Sequence, residues 1–277
     1  MISGKTTLIA HVGWPTESFK APLIYNPWFE RQGIDTVVVP MGCKADDYPA
    51  FFRALFRLTN VRGALVTMPH KVTTVGLVDA VTPTVEIAGS CNAVLLRPDG
   101  TLLGDMFDGT GFVRGLVRKG FAVGGARCLV VGTGGVGSAI AASLAAAGAG
   151  ALALHDVDRA AAEALAGRLT KHYPAVAAGF AGNDPAGYDL VVNGTPLGMK
   201  PGDPLPVDPA RLDARTFVGE VVMKKEITPL LEAARARGCR YQVGTDMLFE
   251  MIPAYLEFFG YGTATPDELR AVAHVTY

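Results

Sequence analysis

Short apolar runs closed by glycine, proline or asparagine alternate along the 277 residues with segments whose apolar positions recur at helical spacing. Residues 5–12 read as a first strand, ended by Gly13-Trp14-Pro15, and residues 22–29 open a helix behind Pro22. Residues 35–40 form a second strand, and residues 46–58 an amphipathic helix carrying Phe51, Phe52, Leu55 and Leu58. A third strand over 63–67 runs into Met68-Pro69-His70-Lys71, with helices expected over 72–79 and 84–88. Residues 93–97 and 101–104 pair as a hairpin around Asp99-Gly100, and a helix follows over 108–119. The second half repeats the alternation. Strands are expected to 131, over 151–155, 188–193, 216–222 and 240–243, with helices over 138–147, 160–171, 228–237 and 247–259. Residues 200–209, rich in proline, read as an irregular surface segment, and Thr265 caps a last helix begun by Pro266. Strand–helix alternation in both halves predicts an α/β chain with two mainly parallel sheets.

The stretch from Cys128 to Ile140 carries the clearest chemistry. A β-branched run stops at Gly132, and small residues follow at once, so a buried strand turns sharply into a helix. Gly132, Gly134 and Gly137 match the G-x-G-x-x-G fingerprint of a Rossmann-type, doubly wound dinucleotide fold. The first glycine allows the turn, the second leaves room for a pyrophosphate, and the third lets helix and strand pack closely. Thr133, Gly135 and Val136 complete the turn, whose helix N-terminus favours phosphate. Asp156 ends the next strand about twenty residues past the last glycine, where a carboxylate meets the adenosine ribose. That acid predicts NAD in preference to NADP, with Arg159 as the residue that would instead accept a 2′-phosphate.

Composition narrows the function. The 25 basic and 26 acidic residues nearly cancel, which argues against a nucleic-acid partner. Cys43, Cys91, Cys128 and Cys239 are scattered without a C-x-x-C spacing, so no metal site is expected and a reducing, cytoplasmic location is. No charge occurs between Cys128 and Leu154, but six glycines interrupt that stretch, so a strand–helix–strand reading is preferred to a membrane span. The partners expected are a small-molecule substrate and the cofactor, in a monomer or homodimer.

Seven segments, in order, resemble the shikimate dehydrogenase family over almost the whole chain. They are Gly13-x-Pro15 with Pro22 and Asn26, Val66-Thr67-Met68-Pro69-His70-Lys71, Gly89-Ser90-Cys91-Asn92, and Leu103-Gly104-Asp105-Met106-Phe107-Asp108-Gly109. Asn193-Gly194-Thr195, Thr228-Pro229-Leu230 and the stretch from Gly244 to Leu248 complete the set. The resemblance implies a substrate domain from residues 1–107 and 246–277, a Rossmann domain over 108–245, and an active cleft where the two meet. It implies NAD-dependent, reversible oxidation of a ring secondary alcohol of the shikimate or quinate type. Hydride transfer needs a group that takes the hydroxyl proton. The resemblance gives that role to Lys71, held by Asp108, with Asn92 and Thr67 beside the substrate. Thr195, Gly244 and Met247 are expected near the nicotinamide, and Asn193 either joins them in the cofactor site or only ends its strand. His70 is expected to pack rather than react.

The chain departs from the family where the substrate's other polar groups would bind. Phe19 and Ala21 stand at the paired serines, Leu65 at the asparagine before Val66-Thr67, and Met106-Phe107 at Asn-Thr. Met223 replaces a tyrosine and Met251 a glutamine. Each hydrogen bond lost from a site built for hydroxyls costs roughly 1–3 kcal/mol. A substrate less polar than shikimate is therefore expected, with Lys20 or Ser18 as the residues able to salvage a carboxylate. A non-catalytic NAD-binding protein is the alternative; retention of both Lys71 and Asp108 argues for the enzyme.

Overall fold

The computed structural model describes residues 2–17 and 19–275, so Ser18 lies outside the described residues. The chain divides into two compact units. One comprises the residues up to Phe107 and those from Ile252 on; the other is Asp108–Met251.

In the first unit, β1 (Thr7–Gly13), α1 (Pro22–Gln32), β2 (Thr36–Gly42), α2 (Tyr48–Leu55) and β3 (Val61–Val66) alternate as the apolar pattern indicates. The short helix α3 (Lys71–Val75), the two-residue β4 (Ala80–Val81) and α4 (Pro83–Ala88) lead to the hairpin β5 (Ala93–Leu96) and β6 (Leu102–Asp105). The helix expected over 72–79 ends at Val75, because Gly76 stops it. The sheet order is β2-β1-β3-β5-β6-β4. β2, β1 and β3 are parallel, whereas β5 runs antiparallel to both β3 and β6. This sheet is therefore mixed rather than uniformly parallel. The Asp99-Gly100 turn reverses the chain, with Gly100 at a φ of 85° that favours glycine. β4 pairs parallel with β6 and is too short to register as a period.

The second unit opens with α5 (Asp108–Arg118), followed by β7 (Arg127–Val131), α6 (Gly135–Ala146), β8 (Ala151–His155), α7 (Arg159–His172) and β9 (Ala177–Phe180). It continues with β10 (Leu190–Asn193), β11 (Phe217–Glu220), α8 (Pro229–Ala236), β12 (Arg240–Gln242) and α9 (Gly244–Phe259). Every strand pair is parallel, in the order β12-β11-β10-β7-β8-β9. β9 escaped the apolar pattern because Ala-Ala-Gly-Phe offers one large side chain at a sheet edge. The strand order reverses between β7 and β10, which makes the carboxyl ends of those two strands the switch point where such sheets take ligands. Leu129, Val131, Val191 and Val218 pack with Leu230 and Leu231 of α8 as the core on one face. A Cβ on Gly111 of α5 would come within 2.6 Å of Met251 Cβ, so glycine permits α5 and α9 to lie close.

α9 carries the chain from the second unit into the first; the division falls between Met251 and Ile252, inside this helix. The first unit ends with α10 (Pro266–Val272), where Thr265 and Glu268 form a reciprocal capping box. Among the described residues no helix is long and apolar enough to cross a membrane.

Candidate active site

The nucleotide half is built at the end of β7. Gly132 adopts a φ of 93°, and a Cβ there would lie 2.6 Å from Thr195 Cγ2. A Cβ on Gly137 would collide with the carbonyl oxygen of Gly132. Gly134 faces open space, with no atom within 4 Å of an added Cβ. The first and third glycines thus serve the protein's own packing, while the second leaves a cradle before α6. Gly134 is the N-cap, no side chain caps the helix, and Gly135 and Val136 form its first turn. Ser138 locks the turn by donating to the Thr133 carbonyl at 2.7 Å. This geometry fits the pyrophosphate of a dinucleotide.

Asp156 follows β8, but its carboxylate is committed within the protein. Oδ2 accepts from the Thr133 N–H at 2.6 Å and the Thr133 hydroxyl at 2.9 Å, and Oδ1 accepts from the Asp158 N–H at 3.0 Å. Partial burial raises the carboxyl's pKa, yet these donors outweigh it and hold the group below the usual carboxylate value. Asp156 braces the glycine turn. Beside it Arg159 lies over the Phe180 ring at 4.8 Å and pairs with Glu163 at 2.7 Å on the exposed face of α7.

A buried polar network links the next two strand ends. Asn193 donates from Nδ2 to Glu220 at 2.9 Å, and its Oδ1 accepts from the Thr195 N–H at 3.1 Å and hydroxyl at 2.6 Å. Glu220 also accepts from the N–H groups of Val221 and Val222 and from the Thr228 hydroxyl. Thr228 in turn caps α8. Burial pushes the Glu220 pKa up against the opposing pull of these donors. Asn193 therefore does more than end its strand: it fixes the Thr195 loop. Glu220 was missed in the sequence, where one acid at the end of an apolar run carries no spacing signal. Gly244 begins α9 against β11's exit, since a Cβ would collide with the Val222 carbonyl; Met247, one turn on, is buried and Met223 half-buried. Met251 is half-buried further along the same helix. Asp108, the first residue of α5, is buried in this unit.

The first unit holds Lys71, Asn92, Thr67, Phe19, Ala21, Leu65 and Phe107. The loops after β1 and β3 are laced together, Thr67 N–H donating to the Val12 carbonyl at 2.9 Å and Trp14 N–H to Met68 at 2.9 Å. Lys71 begins α3, and its carbonyl accepts from the Cys91 N–H at 2.8 Å, tying the lysine loop to the segment ending at Asn92. Asn92 is buried; its Oδ1 accepts from the Phe107 N–H at 2.9 Å and its carbonyl from the Tyr255 hydroxyl at 3.3 Å. The Phe107 ring packs edge-on against Tyr255 and Phe258. Ala21 is buried ahead of α1. His70 packs, its ring stacked 3.8 Å from Tyr48 and its Nε2 2.8 Å from the Cys43 carbonyl.

His11 was not singled out in the sequence, because one histidine in an apolar strand ordinarily reads as core. It lies two residues before the end of β1 and pairs in register with Leu65 of β3. Its ring stacks on Phe19 at 4.0 Å, and its buried Nδ1 has no hydrogen-bond partner. Burial first, and the Lys71 charge second, push its pKa down to about 4.

A phosphate-cradling glycine turn at the switch point of a parallel sheet, in one chain with a second α/β unit bearing a lysine loop, defines a dinucleotide-dependent oxidoreductase. Residues 12–94 match the shikimate dehydrogenase substrate-binding domain. The chain belongs to the shikimate dehydrogenase family of NAD(P)-dependent oxidoreductases acting on CH–OH groups. It is 35% identical to the shikimate dehydrogenase (NADP(+)) of Rhodospirillum rubrum over 279 residues, 98% of each chain. It is 36% identical to that of Acidiphilium cryptum, covering 99% of this chain and 98% of the relative. Among solved structures, the shikimate 5-dehydrogenase of Listeria monocytogenes, in complex with shikimate and NAD, superposes with a TM-score of 0.90 at 26% identity, covering 98% of this chain and 97% of that one.

These relatives correct the cofactor expectation. Those from Rhodospirillum and Acidiphilium, like others 33% and 31% identical, are named for NADP(+), which points away from NAD as the preferred cofactor. The physical reason lies in Asp156: an acid whose oxygens already accept from Thr133 and Asp158 serves the turn and is a poor guide to the ribose.

Two stability outcomes follow from the buried polar groups. Replacing Glu220 with Ala should cost about 3 kcal/mol or more in urea denaturation, because Asn193, Thr228 and two backbone N–H groups lose their acceptor. Glu220→Gln should cost about 1 kcal/mol, since Oε1 alone serves three of the four donors; equal losses would refute the network. For His11, the unfolded chain takes its proton near pH 6.5 and the folded chain only near pH 4. The unfolded state binds more protons between those values, so stability is complete above pH 6.5 and falls by up to roughly 3 kcal/mol as pH drops toward 4. His11→Phe should flatten that part of the stability–pH curve, and an unchanged slope would show that His11 titrates normally.

Proposed function

We propose that the protein catalyses reversible, NADP-dependent oxidation of a ring secondary alcohol to a ketone, on a shikimate- or quinate-like compound less polar than shikimate. The observation that carries the reading is the glycine turn, whose open cradle at Gly134 suits a pyrophosphate, in a chain that keeps the lysine loop. When bound, the cofactor supplies the hydride acceptor at its nicotinamide. Lys71 takes the proton from the reacting hydroxyl and returns it in the reverse direction. The family resemblance gives Asp108 the role of holding the proton-transfer lysine, and Asn92 and Thr67 that of holding the substrate. Gly135 and Val136 at the start of α6 serve the phosphates, with Thr133 bracing the turn through Asp156, and Thr195, Gly244 and Met247 confine the nicotinamide.

NADP preference rests on the names of the relatives and on Arg159. Its guanidinium is exposed, lies over the Phe180 ring and pairs with the surface carboxylate of Glu163, a bond worth little against a phosphate. The neighbouring Val157 is fully exposed and leaves the approach open. Substrate choice rests on the apolar side chains Phe19, Ala21, Leu65, Phe107, Met223 and Met251. Apolar wall favours apolar substrate surface by about 25 cal/mol per Å² and penalises hydroxyls left unpaired.

Lys71→Ala and Asp108→Ala should each lower turnover by about 10²–10⁴, with cofactor affinity measured by calorimetry nearly unchanged; near-normal turnover in either variant refutes the assignment. Arg159→Ala should weaken NADP binding about tenfold or more while affecting NAD less; equal effects on both would remove Arg159 from the ribose site. Shikimate should be oxidised poorly beside rings with fewer polar groups, and a kcat/KM of ~10⁴ M⁻¹s⁻¹ or more with shikimate would overturn the substrate reading.

A further inference from the structure

We infer that His11 is a specificity-determining residue that hydrogen-bonds a second hydroxyl of the substrate, close to the carbon that is oxidised. The inference rests on the activity proposed above and uses only groups within the first unit. β1 brings His11 to the carboxyl end of the sheet, beside Leu65 in the register of β3. Phe19 covers one face of the imidazole at 4.0 Å, with an interplanar angle of 28°. Two side chains assigned to the substrate wall thus border this one polar ring. Its Nδ1 is buried without a hydrogen-bond partner, an unmet capacity that costs stability and that packing alone would answer better with leucine or phenylalanine.

The chemistry of the surroundings selects the ligand. Lys71 lies close enough for its charge to be felt at His11, and together with burial it keeps the ring neutral at working pH. A neutral imidazole nitrogen donates or accepts according to its tautomer, and a hydroxyl can answer either role at Nδ1. A carboxylate would turn instead to the Lys71 ammonium. The proton acceptor for the reacting hydroxyl is Lys71, so the group read by His11 belongs to a neighbouring ring position. The substrate is accordingly a ring diol or higher polyol with one polar contact beyond the reacting centre. The rest of its surface meets Phe19 and Leu65.

The test compares oxidation of a vicinal cyclohexanediol with that of cyclohexanol, with saturating NADP. Wild type should favour the diol through KM by about tenfold, the worth of one hydrogen bond. His11→Leu should lose that preference in KM, and His11→Asn, which keeps a donor and an acceptor, should recover part of it. A preference that survives in His11→Leu overturns the inference while leaving the dehydrogenase activity standing. If wild type oxidises neither alcohol, the activity reading fails on these substrates, and binding decides the role of His11. The imidazole nitrogen NMR signals of the NADP-saturated protein should then shift on titration with the diol and not with cyclohexanol. Unmoved signals, or equal shifts with both, overturn it. The same spectra on His11→Asn identify the signals should His11→Leu fail to fold.

Discussion

Gly132 must reverse the chain at the end of β7 while its Cα sits against Thr195, and the nucleotide half depends on that close approach. No side chain can occupy the position, both because φ is positive and because the β10 loop fills the space. Everything around the turn serves to hold it. Asp156 takes the Thr133 N–H and hydroxyl from one side. Asn193 and Glu220 fix the Thr195 loop from the other. The buried acid is kept because four donors converge on it, so the strand ends of β10 and β11 are set as a unit rather than as independent loops.

The substrate half follows a different economy of polar groups. Lys71 stands at the start of α3, Asn92 is locked by Phe107 and Tyr255, and His11 lies near the carboxyl end of β1, between β2 and β3. The family relationship accounts for the lysine loop and the Asn92 segment. It does not account for a histidine stacked on Phe19 and in register with Leu65.

Legibility in the sequence tracked the range of the interaction. The fingerprint glycines and the strand–helix alternation are local, and both read directly. The Thr265 cap and the Asp99-Gly100 turn likewise depend on residues within a few positions. β4 and β9 were not legible, because two or four residues at a sheet edge are defined by the strand they join rather than by their own side chains. The hairpin of β5 and β6 was legible from its turn, whereas the antiparallel pairing of β5 with β3 was not, because it joins segments as far apart in the chain as Gly63 and Leu95. Asp156 was legible as a position, but the cofactor preference read from it was not secure, since its partners Thr133 and Asp158 are fixed only by the folded turn. Glu220 and His11 were invisible for the same reason. Their meaning lies in donors and rings brought from other strands and loops.

The central claim is that hydride passes from a ring carbinol to a nicotinamide on this chain while Lys71 moves the proton. The direct measurement uses a ring alcohol deuterated at the carbinol carbon, incubated with NADP and the purified protein, and follows the label by NMR. The account predicts deuterium on the reduced nicotinamide ring with wild type and far less with Lys71→Ala at equal protein and time. Label retained on the alcohol across cyclic alcohols and polyols, with NADP demonstrably bound, would contradict it.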